Sequence, residues 1–304
     1  MMASLKRILL ATDLEPKSDR ALERAVQLAQ WFDAELTALH IIDGNGGRYG
    51  CLPLHHIESE LQLRIQAARG GDGIRAQAVA VRGDAVEHRV AGYAGLWRPD
   101  LLVVGLHQRD RVADLFLAST VERIAIADGT PMLIVRDKPL QPYRRALVPV
   151  DFSERSQPSV EGARMLMAEG CLHLLHVADL PETSALDKAQ VEHDFRTVLG
   201  LWGDGPPDAP EVGTILLPGS PTRRIVQLAR QGSYDLVAMG SARRSGVSRA
   251  LLGSTASEVI DALPCDVLIG GVALEAGRSP ASPSSAGSCR PDPDGPNGEP
   301  DDHH

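Results

Sequence analysis

No stretch of this chain approaches the roughly 18 consecutive apolar residues that a membrane-spanning helix needs, so no membrane association is expected. Before Asp13 the N-terminal sequence offers an apolar run of only about five residues, too short for the core of a secretory signal. Cysteine is sparse: Cys51, Cys171, Cys265 and Cys289 never form a CxxC pair, which argues against a disulfide framework or a structural zinc site and fits reduced thiols in a cytosol. Positive charge is short as well, with 31 Lys and Arg against 40 Asp and Glu for a net charge of −9. A general nucleic-acid binder should be basic, so none is expected, although a few clustered arginines can still hold one phosphate. Aromatics make up only 4%, and Trp31, Trp97 and Trp202 are isolated at predicted helix ends, where packing rather than a base-stacking platform is expected. Neither a GxxxxGK[ST] phosphate loop nor a GxSxG nucleophile elbow occurs. These absences together predict a cytoplasmic, non-membrane protein.

What is present is a repeat. KRILLATDLEPKSDRAL lies over RRALVPVDFSERSQPSV, so that Lys6 meets Arg144, Asp13 meets Asp151 and Ser18 meets Ser156. ELTALHIID then lies over CLHLLHVAD, with His40 opposite His176; PDLLVVGLHQ lies over YDLVAMGSAR, with Asp100 opposite Asp235 and Gly105 opposite Gly240; FLASTVERI lies over LLGSTASEV, with Ser119 opposite Ser254. The matches keep their order while the offset drifts only from 138 to 135 residues. Generic likeness between α/β units would not hold register so closely, and duplication accounts for it.

Each copy alternates strand and helix. ILLAT and ALVPV are short continuous apolar runs, as parallel strands buried on both faces require. Further strands are predicted at 35–42, 76–81, 100–105 and 132–136, then at 171–178, 212–217, 235–240 and 266–272. Between them lie helical patterns such as Leu22, Ala25, Ala29 and Phe32. Right-handed crossovers turn this into an α/β fold of two tandem open, parallel five-stranded sheets with helices on both faces. The predicted division is 1–138, 139–275 and a tail over 276–304, whose Pro, Ser, Gly and Asp content cannot bury enough surface to order it. The last strand of each copy is so apolar that it should be covered or paired, and an internal pseudo-dimer would do this within one chain.

Ligands of open parallel sheets bind beyond the carboxyl ends of the strands, at the switch in strand order. Strand one of each copy ends in an acid, Asp13 or Asp151, and strand four in a glycine, Gly105 or Gly240. In copy two the glycine opens GSARRSGVSRALLGSTASEVIDAL, where Gly253, Ser254 and Thr255 begin a helical pattern and Thr255 with Glu258 fits a capping box. Glycine and hydroxyls at a helix N-terminus form an anion site, to which Arg243, Arg244 and Arg249 can add charge.

These motifs resemble the universal stress protein family, whose nucleotide-binding members carry G-x2-G-x9-G followed by Ser or Thr. Copy two keeps Gly240, Gly253 and Ser254 but has Arg243 at the second glycine. Copy one keeps Gly105 and Ser119, with Gln108 and Ala118 at the other glycines. The family's D-x-S start is kept by Asp151-Phe152-Ser153 and loses its serine in Asp13-Leu14-Glu15. The resemblance covers residues 5–137 and 143–272, and it implies an adenine-nucleotide α-hydrolase-like fold. It further implies that Asp151 lies near a ribose or metal, that Val177 flanks an adenine, and that Met239, Gly240, Gly253, Ser254 and Thr255 cradle ribose and phosphates. ATP with Mg²⁺ is the implied ligand of copy two. Arg243 either obstructs it, if a glycine conformation is needed there, or pairs with a phosphate.

Blander readings stand beside these. Either acid can simply close the turn before a helix. His173 and His176 fall on opposite faces of one strand and cannot share a metal from within it, so packing is the expected role of His176 and its match His40. Arg223 and Arg224 are expected to be a solvated surface. Three functions remain: a nucleotide-binding stress-response protein without conspicuous catalysis, a ligand-free scaffold acting through protein partners, or an adenylating enzyme of related fold. The last lacks HIGH-type and SGGxDS-type loops.

Overall fold

The computed structural model describes residues 5–42, 49–83, 86–106, 130–153, 156–167, 169–178, 185–201, 210–240 and 254–270. The first copy contains β1 (Arg7–Ala11), α1 (Asp19–Phe32), β2 (Glu35–Ile42), α2 (Leu54–Ala67), β3 (Ala76–Arg82), α3 (Val86–Trp97), β4 (Leu101–Gly105) and β5 (Met132–Val135). The second contains β6 (Arg145–Pro149), α4 (Gln157–Leu166), β7 (Cys171–Ala178), α5 (Ala185–Leu201), β8 (Glu211–Pro218), α6 (Pro221–Gln231), β9 (Leu236–Gly240), α7 (Ser254–Ala262) and β10 (Asp266–Gly270).

The inner strands form where continuous apolar runs are buried on both sides, whereas the edge strands β3 and β8 are only partly buried. Ile8, Leu9 and Leu10 of β1 are fully buried, and all four residues of β5 are buried. The helices begin where local chemistry favours it. Ser156 precedes α4, with Pro158 in its first turn, and Ser220 precedes α6, with Pro221 at its start, where the missing N–H of proline costs nothing. At the end of α1, Asp33 turns into the left-handed region at φ 49° and its N–H reaches the Ala29 carbonyl.

Within each copy the pairing is parallel, in the order β3-β2-β1-β4-β5 and its counterpart β8-β7-β6-β9-β10. The duplication reaches into the polar detail. Asp100 Oδ2 accepts the N–H groups of Lys6 and Arg7 at 2.8 and 2.9 Å. Asp235 Oδ2 accepts those of Arg144 and Arg145 at 2.6 and 3.2 Å. Each acid thereby anchors the start of its own first strand.

The two five-stranded sheets join at their last strands, the pairing expected of an internal pseudo-dimer. β5 and β10 pair antiparallel, Ile134 with Val267, Leu133 with Leu268 and Met132 with Ile269, so the copies share one ten-stranded sheet. The physical cause is the apolar last strand of each copy, whose edge is satisfied by the other. Both layers of core continue across this seam. Leu10, Leu61, Leu133, Leu172 and Leu268 belong to one face, and Leu9, Val90, Met132, Leu147, Val237 and Val267 to the other.

Candidate functional site

At the carboxyl edge of copy two, β6 lies between β7 and β9. The fold therefore brings Asp151, just past β6, beside Val177 near the end of β7 and Met239–Gly240 at the end of β9. Gly240 is half-buried and presents no side chain to this edge. Val177 is half-buried against the core face that includes Leu147, Leu175 and Val237. Met239 is 8% exposed and belongs to that same core, so its side chain packs inward and its backbone is what the edge offers. Arg243 and Gly253 lie outside the described residues. Ser254 and Thr255 open α7, as expected, with only their backbone described. Because α7 carries the chain back to the start of β10, parallel to β9, its N-terminus faces the carboxyl edge.

Asp151 is held by a compact set of bonds. Its Oδ1 accepts the Ser153 N–H at 3.0 Å, the Ser153 hydroxyl at 2.6 Å and the Ser156 hydroxyl at 2.8 Å. Its own N–H donates to Ser156 Oγ at 3.1 Å. Partial burial pushes its pKa upward, but the hydroxyls of Ser153 and Ser156 and the Ser153 N–H outweigh burial, and the net shift is downward. The group is a carboxylate at neutral pH.

Copy one repeats the arrangement without the hydroxyl that Ser153 supplies. Asp13 Oδ1 accepts the Glu15 N–H at 2.9 Å and the Ser18 hydroxyl at 2.5 Å. Glu15 stands where Ser153 stands and supplies the backbone donor without the hydroxyl. In both copies, then, the acid closes the turn between strand and helix.

The matched histidines hold the peptide ahead of each acid. His40 Nδ1 lies 2.9 Å from the Thr12 carbonyl and His176 Nδ1 lies 3.0 Å from that of Val150. Nδ1 must carry the proton in both, since a carbonyl only accepts. Burial pulls the pKa of His40 down, against the opposing effects of the Thr12 carbonyl, Asp13 and Glu60. His176 also stacks on Phe152, with centroids 4.4 Å apart, and Phe152 meets Phe195 at 4.9 Å. His173, on the other face, pairs through Nδ1 with the Tyr234 hydroxyl at 2.8 Å.

Arg224 corrects the expectation of a solvated arginine pair, because its Nε donates to the Pro218 carbonyl at 2.9 Å and anchors the end of β8. Sequence reasoning also passed over Leu14 and Phe152. Both have left-handed backbone, φ 61° and 59°, immediately after the acid. The signal was available in the D-x-S match, which leaves the middle residue to adopt whatever the turn demands.

The sequence profile of the universal stress protein family matches the chain twice, over residues 4–136 and 142–270. The chain belongs to the universal stress protein family. Universal stress protein MJ0531 of Methanocaldococcus jannaschii is 39% identical over 144 residues, which are 42% of this chain and 81% of that protein. Universal stress protein E of Escherichia coli is 26% identical over 194 residues, which are 56% of this chain and 60% of that one. A universal stress protein from Archaeoglobus fulgidus superposes with a TM-score of 0.61 at 21% identity, covering 88% of this chain and 97% of its own, a likeness of fold. The chain is thus a tandem universal stress protein with an α/β fold. Among the described residues no helix is long and apolar enough to cross a membrane, and no group of three or more His, Cys, Asp or Glu is placed to hold a metal.

Proposed function

We propose that this tandem universal stress protein is a cytosolic stress-response protein that binds an adenine nucleotide at the carboxyl edge of its second copy, without turning it over. The carrying observation is the convergence on one strand edge of an ionised Asp151, a side-chain-free Gly240 and the N-terminus of α7. Such an edge suits a ligand with a polar ribose and an anionic phosphate chain. ATP is the candidate, and Asp151 would meet a ribose hydroxyl or the Mg²⁺ of the complex. Val177 would flank the base, and Gly240, Gly253, Ser254 and Thr255 would approach the phosphates through backbone N–H groups and hydroxyls. A micromolar complex needs about −8 kcal/mol, while the exposed end of a helix dipole contributes only about 0.3–1 kcal/mol, so base burial and several N–H contacts must act together.

The ligand-free scaffold is the second reading. It is favoured by the Oδ1 atoms of both acids, which are already engaged in closing their turns, and by the glycine-to-arginine change at Arg243.

Mass spectrometry of small molecules released from the purified full chain, with calorimetry of ATP and Mg²⁺, separates the two. Bound ATP or AMP, or a saturable heat of binding, supports the nucleotide reading. No released nucleotide and no heat at millimolar ATP would remove it in favour of the scaffold.

A further inference from the structure

We propose that the β5–β10 seam accepts only unlike halves. Each copy's seam surface fits the other copy and rejects its own kind, so the chain pairs within itself and does not trade its halves for like ones.

One end of the seam carries a buried polar cluster assembled from both copies. Arg24 on α1, Arg136 after β5, Tyr143 before β6 and Asp266 at the start of β10 are 4%, 1%, 0% and 1% exposed. Asp266 Oδ1 accepts the N–H groups of Arg136 and Asp137 at 2.8 and 3.1 Å. Its Oδ2 accepts the Tyr143 hydroxyl at 2.6 Å and lies 3.4 Å from Arg24 Nε. The Arg24 guanidinium sits 4.1 Å from the centroid of the Tyr143 ring. Arg136 reaches into the second copy, with Nη2 donating to the Ile260 carbonyl at 2.8 Å, and Arg20 Nη1 donates to the Arg136 carbonyl at 2.6 Å.

The duplication says what the other end must contain, and none of these residues is repeated there. The seam pairs Leu133 with Leu268 at its centre, and these two are equivalents at the offset of 135 that also relates Gly105 to Gly240. At that offset Asp266 corresponds to Pro131, and Arg136 to Gly271. At the offset of 138 that relates Asp13 to Asp151, Arg24 corresponds to Gly162, Arg20 to Pro158 and Tyr143 to Leu5. The second copy uses its small residues for close packing instead. A Cβ on Gly162 would come within 2.8 Å of Leu268 Cδ2, and one on Gly270 within 3.1 Å of the Ser159 nitrogen. The cationic side chains therefore belong to the first copy and the acid to the second.

Pairing like with like would strand both. Two second copies would bury two Asp266 carboxylates with glycines where the arginines should be. Two first copies would bury Arg24 and Arg136 twice over without Asp266 and Asp261, the second-copy acids that act on them. A buried charge deprived of its partner is strongly unfavourable, whereas the apolar strands alone, matched through Leu133 and Leu268, would pair indifferently. The cluster supplies the discrimination that the strands lack.

The test uses the full-length protein with a protease site in the linker between Lys138 and Gln141, cut after folding. Nicked protein is mixed with isotopically labelled nicked protein, and native mass spectrometry counts the pairs. Exchanged pairs of one N-terminal and one C-terminal piece, more than about tenfold in excess of like pairs, are expected. Like pairs approaching the abundance of unlike pairs overturn the proposal. If no label exchanges, nicked Asp266→Asn decides, since neutralising the acid removes the bar to joining two C-terminal pieces. Appearance of that pair supports the proposal, and unlike pairs alone from this variant overturn it.

Discussion

Leu14 and Phe152, equivalent residues in the two copies, share a backbone conformation that neither side chain favours, φ 61° and 59°. A bulky residue held there costs of order 1 kcal/mol or more, and the surrounding bonds enforce it. The Leu14 carbonyl accepts Arg64 Nη1 at 3.0 Å, and the Phe152 ring is clasped by His176 and Phe195. Phe152→Leu, which installs the residue of the other copy, should cost about 1 kcal/mol. Phe152→Val should cost about 2–3 kcal/mol, because a β-branched side chain is poorly tolerated at positive φ and the ring contacts are lost. Urea unfolding of both variants measures the difference, and equal costs would show that the turn does not enforce its conformation.

Nucleotide affinity should respond to the second copy alone. If ATP binds as proposed, Gly253→Val should weaken it at least tenfold, or about 1.4 kcal/mol. Ala118→Val, at the matching position of the first copy, should leave the calorimetric affinity unchanged. Arg243→Gly should tighten binding if the arginine obstructs and weaken it if it pairs with a phosphate, and obstruction is the expected result.

Two carboxylates should give opposite pH signatures. Asp151 is held below the ordinary carboxylate range, so its contribution to stability is present above that range and is lost as pH falls through the lowered value. Asp266 is raised, chiefly by burial, which outweighs Arg24 and the Tyr143 hydroxyl. Its contribution is fullest below the ordinary value of 3.8 and is lost as pH rises through the raised value. Relative to Asp151→Asn, wild type should lose stability on acidification; relative to Asp266→Asn, it should lose stability as pH climbs from about 4 towards neutrality. Thermal unfolding across this range, wild type against each variant, checks both signs.

Asp266→Leu leaves Arg24 buried without its acid and the Arg136 and Asp137 N–H groups without their acceptor, and should cost about 3–5 kcal/mol. Adding Arg24→Leu should return part of that loss, because an apolar pair is cheaper to bury than a lone cation. Denaturant midpoints of the singles and the double measure this coupling. A double variant as unstable as the sum of the singles would show that the two side chains act independently.

The strands were readable because burial on both faces leaves an unbroken apolar run. MLIV and DVLIG advertise their strands and, lying last in each copy, their need for a neighbour. Arg24 was not readable in this way. It sits among the buried residues of α1, Ala21, Leu22, Ala25 and Leu28, yet a charge on a helix normally marks the solvent side, and its burial is explained by Asp266, the Tyr143 ring and the Gln141 carbonyl beyond the first copy. At the candidate site the acid and the glycine were legible from the repeat. The hydroxyl bonds that keep Asp151 ionised, and the inward turn of Met239, depend on how loops fold back and on which face of β9 meets the core.

A sheet whose strands run one way up to β5 and the other way from β10 has its two carboxyl edges on opposite rims. Whatever docks beside Asp13 and whatever docks beside Asp151 approach from opposite sides of the molecule, with the full length of the strands between them. Among the described residues, a displacement at one rim reaches the other through the paired strands β5 and β10 and through the Arg24–Asp266 and Arg136–Ile260 contacts beside them.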